Sequence, residues 1–152
     1  MNTRIAIALL CVGALAFACG TRSHSSEPSA TRAEQLREAD GPIASSLRVT
    51  VEEAVSFSLH VTNNTAKRLE LRFPSGQTHD FVVLDSIGRE VWKWSDGRMF
   101  TQALQTRNVN RGETISYSDR WDPSGTRGTF TAVATLRSST HPVESRVEFE
   151  VP

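Results

Sequence analysis

Val55-Ser56-Phe57-Ser58-Leu59-His60-Val61-Thr62 alternates apolar and polar side chains without a break, and Asn63-Asn64-Thr65 follows it. Successive side chains on a strand point to opposite faces, so this run has one face to bury and one to leave in water. A helix would need its apolar residues three and four apart. The run therefore reads as a half-buried β-strand ended by a turn.

Working outward, the same period recurs. Leu69, Leu71 and Phe73 alternate with Glu70 and Arg72, and Pro74-Ser75-Gly76 ends the run. Phe81-Val82-Val83-Leu84 is continuously apolar, as expected of a strand covered on both faces. Ser86-Ile87-Gly88 turns it into Glu90-Val91-Trp92-Lys93-Trp94. Ile115, Tyr117 and Trp121 share one parity within 113–121. Phe130, Ala132, Ala134 and Leu136 face polar Thr129, Thr131 and Thr135 across their strand, and Val147, Phe149 and Val151 close the chain with another alternation. About seven or eight short strands separated by turn residues, with no long helical pattern, indicate an all-β, antiparallel immunoglobulin-like β-sandwich. A small barrel is the alternative. About 105 residues suffice for one such core.

Upstream the composition changes. Met1 to Arg4 is short and positive, Ile5 to Phe17 is almost wholly apolar, and Ala16-Phe17-Ala18 is a small-residue cleavage site. That order describes a signal peptide over 1–18. Its apolar part is shorter than the ~20 residues of a spanning helix. Leu15-Ala16-Phe17-Ala18-Cys19 resembles a bacterial lipobox, with its Leu one position further out than usual. Cys19 is thus the candidate lipidation site, and ordinary cleavage with a free thiol is the alternative. An exported lone thiol invites stray pairing, which favours acylation. Cys11 lies inside the signal, so no intramolecular disulfide is available. Residues 19–45 are polar and rich in Ser, Thr, Ala, Glu and Arg, and read as a flexible tether. Ala33 to Ala39 is compatible with a transient helical turn. The folded domain is expected over 46–152. The expected location is the bacterial cell envelope, with the membrane reached through a lipid anchor on Cys19.

The 152 residues carry 17 Lys+Arg and 17 Asp+Glu, so no basic excess points to nucleic acid. No G-x-S-x-G elbow, H-x-x-x-H, C-x-x-C or acidic calcium loop occurs. Ser75 reads as a turn residue, and His79 and Asp80 are strand neighbours that point apart. Asp119 to Asp122 reads as a strand-end cap. Asn63-Asn64-Thr65 fits a glycosylation acceptor, but the turn accounts for it. Trp92 and Trp94 share a face, and pack between sheets or form a sugar platform. No catalytic residue, cofactor or metal site is expected, and the protein is read as a monomer that binds another protein.

The central block carries a resemblance. Ser75-Gly76-Gln77, His79-Asp80-Phe81, Gly88, Val91-Trp92-Lys93-Trp94-Ser95, Phe100-Thr101-Gln102-Ala103, Gly112-Glu113 and Trp121-Asp122 follow the order of the BsuPI family, the intracellular proteinase inhibitor domain. The resemblance implies an immunoglobulin-like sandwich and inhibition of a serine protease. His79 stands where the family has an aromatic, and Arg111 where Pro is frequent. By residue chemistry, Asp80 and Gln77 are placed to satisfy loose backbone groups, and Gly76 and Gly88 suit positive φ. Asp96, Arg98, Met99 and Phe100 lie in the loop that follows Trp94 and are the candidate partner-binding residues, with Phe100 able to fold back as a core plug.

Overall fold

The computed structural model describes residues 31–37 and 41–152. The expected signal peptide, Cys19 and most of the expected tether lie outside the described residues. Ten described strands follow in order: β1 Thr31–Arg37, β2 Ile43–Val51, β3 Val55–Asn63, β4 Leu69–Phe73, β5 His79–Asp85, β6 Glu90–Lys93, β7 Gln105–Val109, β8 Thr114–Trp121, β9 Gly128–Leu136 and β10 Val143–Val151. Every pairing is antiparallel. One sheet has the order β1-β2-β3-β8, a second β10-β9-β5-β6, and β4 pairs with β7 as a separate ribbon.

The two four-stranded sheets share one core. Phe57 on β3 stacks on Phe81 of β5 at 5.8 Å and meets Phe149 of β10 edge-on at 6.2 Å. Leu47, Val49, Leu59, Val61, Val83, Ala134 and Leu136 fill the space around them. Full burial of one such large side chain contributes about 1.5–3 kcal/mol. The sheets also meet through a buried polar pair, the hydroxyls of Ser45 on β2 and Ser145 on β10, 3.1 Å apart. On the outer face of β3 and β8, Ser58–Ser118, His60–Ser116 and Thr62–Thr114 pair across the strands at 3.0, 2.8 and 2.7 Å.

The strand count exceeds the seven or eight expected, and the reason is local. β1 lies inside the stretch that reads as tether and as compatible with a helical turn; pairing with β2 and contact of Ala33 with the core hold it as a strand instead. β2 likewise begins at Ile43, ahead of residue 46. In β7 only Val109 is buried, so no alternation marks it. β10 starts at Val143 because Ser145 takes an inward position that an apolar pattern would miss. In β5, Phe81 and Val83 are buried but Val82 and Leu84 are only half-buried, so that strand is fully covered on one face only.

The Asn63 side chain is 1% exposed. Its amide nitrogen reaches the carbonyls of Lys67, Val109 and Asn110 at 2.7, 2.9 and 3.1 Å, and its oxygen accepts from the Thr65 N–H and hydroxyl. Asn63 therefore ties the β3 end to the β7 end. A glycan on that nitrogen has no room.

Candidate functional site

Turn residues and a buried carboxylate build the platform for the loop between β6 and β7. Asp80, 4% exposed, accepts from the Ser95 hydroxyl at 2.8 Å, the Ser95 N–H at 3.2 Å and the Gln77 amide at 3.0 Å. Hydrogen bonds to a charged acceptor contribute about 1.5–3 kcal/mol. The expectation that Asp80 satisfies backbone groups holds at Ser95. Gln77 serves the carboxylate rather than the backbone.

Trp94 continues the floor. Its N–H donates to Asp119 of β8, which joins the β6 edge of one sheet to the β8 edge of the other. Asp119 is thus a bridge inside a strand, not an end cap; Asp122 makes the turn, accepting from Ser124 N–H at 2.8 Å. His79 lies between the rings of Trp94 at 4.2 Å and Tyr117 at 4.4 Å. Burial pushes its imidazole below the usual 6.5; Asp80 and Asp119 pull it back up, and Arg98 adds to the lowering. Trp92 stacks on Phe57 at 5.6 Å, so both tryptophans belong to inter-sheet packing.

The loop itself alternates fixed and free residues. Trp94 to Gly97 form a turn, with Gly97 at φ +71°. Asp96 is exposed on it. Arg98 lies 4.5 Å over the Trp94 ring, donates to the Trp94 carbonyl at 2.8 Å and reaches Asp119 at 3.4 Å. Met99 projects into solvent, 98% exposed. Phe100 folds back, half-buried, on Trp94 at 5.6 Å. The Thr101 carbonyl accepts from Gly76 N–H at 2.8 Å. A Cβ on Gly76 would lie 2.7 Å from Thr101 Oγ1 and 3.3 Å from Thr101 N, so glycine is needed for close approach. Positive φ was the expectation for both glycines, and it holds only at Gly88, at +82°. Leu104, 84% exposed, is a second apolar projection that sequence reasoning missed, because nothing beside it signals a turn.

Beside the loop an open cleft of about 260 Å³ is lined by Phe73, Thr78, Gln105, Thr106, Arg107 and Tyr117. The buried Tyr117 hydroxyl has no hydrogen-bond partner in the protein. Among the described residues no three His, Cys, Asp or Glu side chains gather as metal ligands. What the arrangement offers is a braced surface, carrying one free apolar side chain between two immobilised neighbours.

A comparison with curated proteins finds no match. Among solved structures, the chain is similar to a Bordetella pertussis protein assigned as ApaA, at 15% identity and a TM-score of 0.35, over 80% of this chain and 91% of that one. The BsuPI family, described as intracellular proteinase inhibitor, matches residues 44–141, from the first residues of β2 through the segment that precedes β10. Its span includes Gly76, Gln77, Asp80, Trp94, Ser95 and Phe100, the residues that meet beneath the loop; on that match, the chain belongs to the BsuPI family.

Proposed function

We propose that the protein is a proteinase inhibitor that binds a serine protease without catalysing a reaction of its own, and that the loop from Ser95 to Leu104 is its contact surface. Membership of the proteinase inhibitor family carries this reading. The braced loop supports it, because a binding loop already held in one conformation loses little entropy on docking. The two sheets, closed on one side by Trp94 and Asp119, are read as an immunoglobulin-like sandwich with its contact loop on that side. Titrating the purified protein into a panel of serine proteases should slow at least one of them stoichiometrically; a panel left at full activity would overturn the reading.

The proposed site of action is the bacterial cell envelope, with the protein monomeric. Support for the location comes from the Leu15-Ala16-Phe17-Ala18-Cys19 stretch and the apolar run before it. Two or more acyl chains on Cys19 give stable anchoring. Cys19→Ser should release the protein from membranes with its fold intact; a variant that stays with the membrane fraction refutes the anchor. A lipid-tethered module that docks envelope proteins without inhibiting them is the second reading. It rests on the same N-terminal stretch and predicts full protease activity alongside a reproducible envelope partner.

A further inference from the structure

We propose that Met99 is the side chain that enters the protease's primary specificity pocket, that the target class is therefore a serine protease with an apolar pocket, and that Met99–Phe100 is a substrate-like peptide bond held so that cleavage is reversible. The proposal rests on the proteinase-inhibitor reading and deepens it.

Three observations carry it. First, Met99 is 98% exposed, the most exposed of the large apolar side chains among the described residues. An unbranched thioether with nothing around it fits a deep apolar slot and has no countercharge for an acidic one. Second, the turn that the Arg98 N–H closes on the Ser95 carbonyl at 3.1 Å ends before Met99, and Met99 to Gln102 contains neither turn nor bend, as a chain crossing a protease cleft requires. Third, both neighbours are tied to the same indole. Arg98 is fixed by the Trp94 ring, the Trp94 carbonyl and Asp119, and Phe100 by its own ring contact with Trp94 and by Thr101 on Gly76. Leu104 lacks this bracing on its N-terminal side, where Ala103 bends the chain.

The bracing has a chemical result. The protease's serine oxygen adds to the Met99 carbonyl carbon, forming the acyl bond, and the Met99–Phe100 C–N bond breaks. The serine's proton passes through the protease's base to the Phe100 nitrogen, which leaves as an amine. A free peptide amine would diffuse away. Here Phe100 stays on Trp94 and Thr101 on Gly76, so the amine remains beside the acyl carbon. Its attack re-forms the peptide bond and returns the proton to the serine. The loop holds both halves at a high effective concentration.

The test compares wild-type protein with Met99→Lys, Met99→Ala and, as a control on an exposed apolar residue of the β5–β6 turn outside the loop, Ile87→Ala, against one protease with an apolar pocket and one with an acidic pocket. Met99→Ala should weaken inhibition of the first by about 30-fold or more, as expected of a central anchor. Met99→Lys should move inhibition to the second, and Ile87→Ala should change little. Mass analysis of long incubations should find scission only between Met99 and Phe100. Inhibition that is indifferent to both Met99 variants overturns the proposal and leaves the inhibitor reading standing. Wild-type protein that inhibits neither enzyme, nor any other serine protease, removes both.

Discussion

The Asp80 carboxylate holds Ser95 twice, through its hydroxyl at 2.8 Å and its N–H at 3.2 Å, and so fixes the point at which the chain leaves β6 for the loop. The partners are fifteen residues apart and lie at the start of β5 and just beyond β6. Replacing Asp80 with Ala strands three donors in a mostly buried place. Asp80→Ala should cost about 2–4 kcal/mol in chemical denaturation, and Gln77→Ala about 1 kcal/mol. Equal and small losses at both positions would show that the carboxylate is not the organiser.

Ser45 and Ser145 form a closed pair between sheets, and each single replacement leaves the other hydroxyl buried without a partner. Ser45→Ala and Ser145→Ala should each destabilise by about 1–2 kcal/mol. The double variant should lose less than the sum, with a coupling of at least about 0.5 kcal/mol in a double-mutant cycle. Strict additivity would contradict the pairing.

His79 gives a stability slope with a defined sign. Its folded-state pKa lies below 6.5, so just under that pH the unfolded chain binds more protons than the folded one. Stability from this group is complete above pH 6.5 and declines as pH falls through the lower folded value. His79→Phe, which keeps the ring between Trp94 and Tyr117, should flatten the profile between pH 7 and 5. Asp85, whose carboxyl is lowered chiefly by the Arg89 N–H and guanidinium, acts only at more acid pH, below its ordinary 3.8. Melting curves of both proteins across that range decide the matter; identical slopes would exclude His79.

Gly76→Ala tests the close approach to Thr101. The added methyl meets Oγ1 and the backbone nitrogen of Thr101. Overpacking of this kind costs about 1–3 kcal/mol, against about 0.4–1 kcal/mol gained from a stiffer unfolded chain. A net loss near 1 kcal/mol is expected. Thr101→Ala in the same protein should recover much of it, since the nearest clash is with the hydroxyl. A stabilised Gly76→Ala variant would mean that the loop does not rest where Thr101 places it.

Tyr117→Phe removes a buried hydroxyl that has no protein partner. Neutral or slightly raised stability is expected, within about 1 kcal/mol. A loss larger than that would reveal a bond the hydroxyl makes.

Sequence reading succeeded where one face of a strand is buried and the other wet. β3, with its strict alternation from Val55 to Asn63, is the clearest case, and β8 and β9 follow it. It failed where tertiary contact alone makes the strand. β7 has one buried residue in five, and β1 is held by its neighbour. At the candidate site, the family motif singled out Gln77, Asp80, Trp94 and Ser95 as a set, but spacing does not show that Asp80 meets Ser95 or that Trp94 meets Asp119 on another sheet. Asp96, Arg98, Met99 and Phe100 stand together in the sequence as one loop; the fixed positions of Arg98 and Phe100 depend on the Trp94 ring, which no local pattern reveals. The sequence around Gly76 points to backbone freedom, whereas the close approach of Thr101 sets the constraint.

The sheet orders have a practical consequence for how the molecule can be held. β1 and β10 are the edge strands opposite β8 and β6, and the loop rises from β6 and leans on β8. Three strand spacings of about 4.8 Å separate those edges within each sheet. Immobilisation on a bead, a sensor chip or a lipid disc through residues beyond β1 or β10 should therefore leave the Met99 flank facing outward, open to a large enzyme.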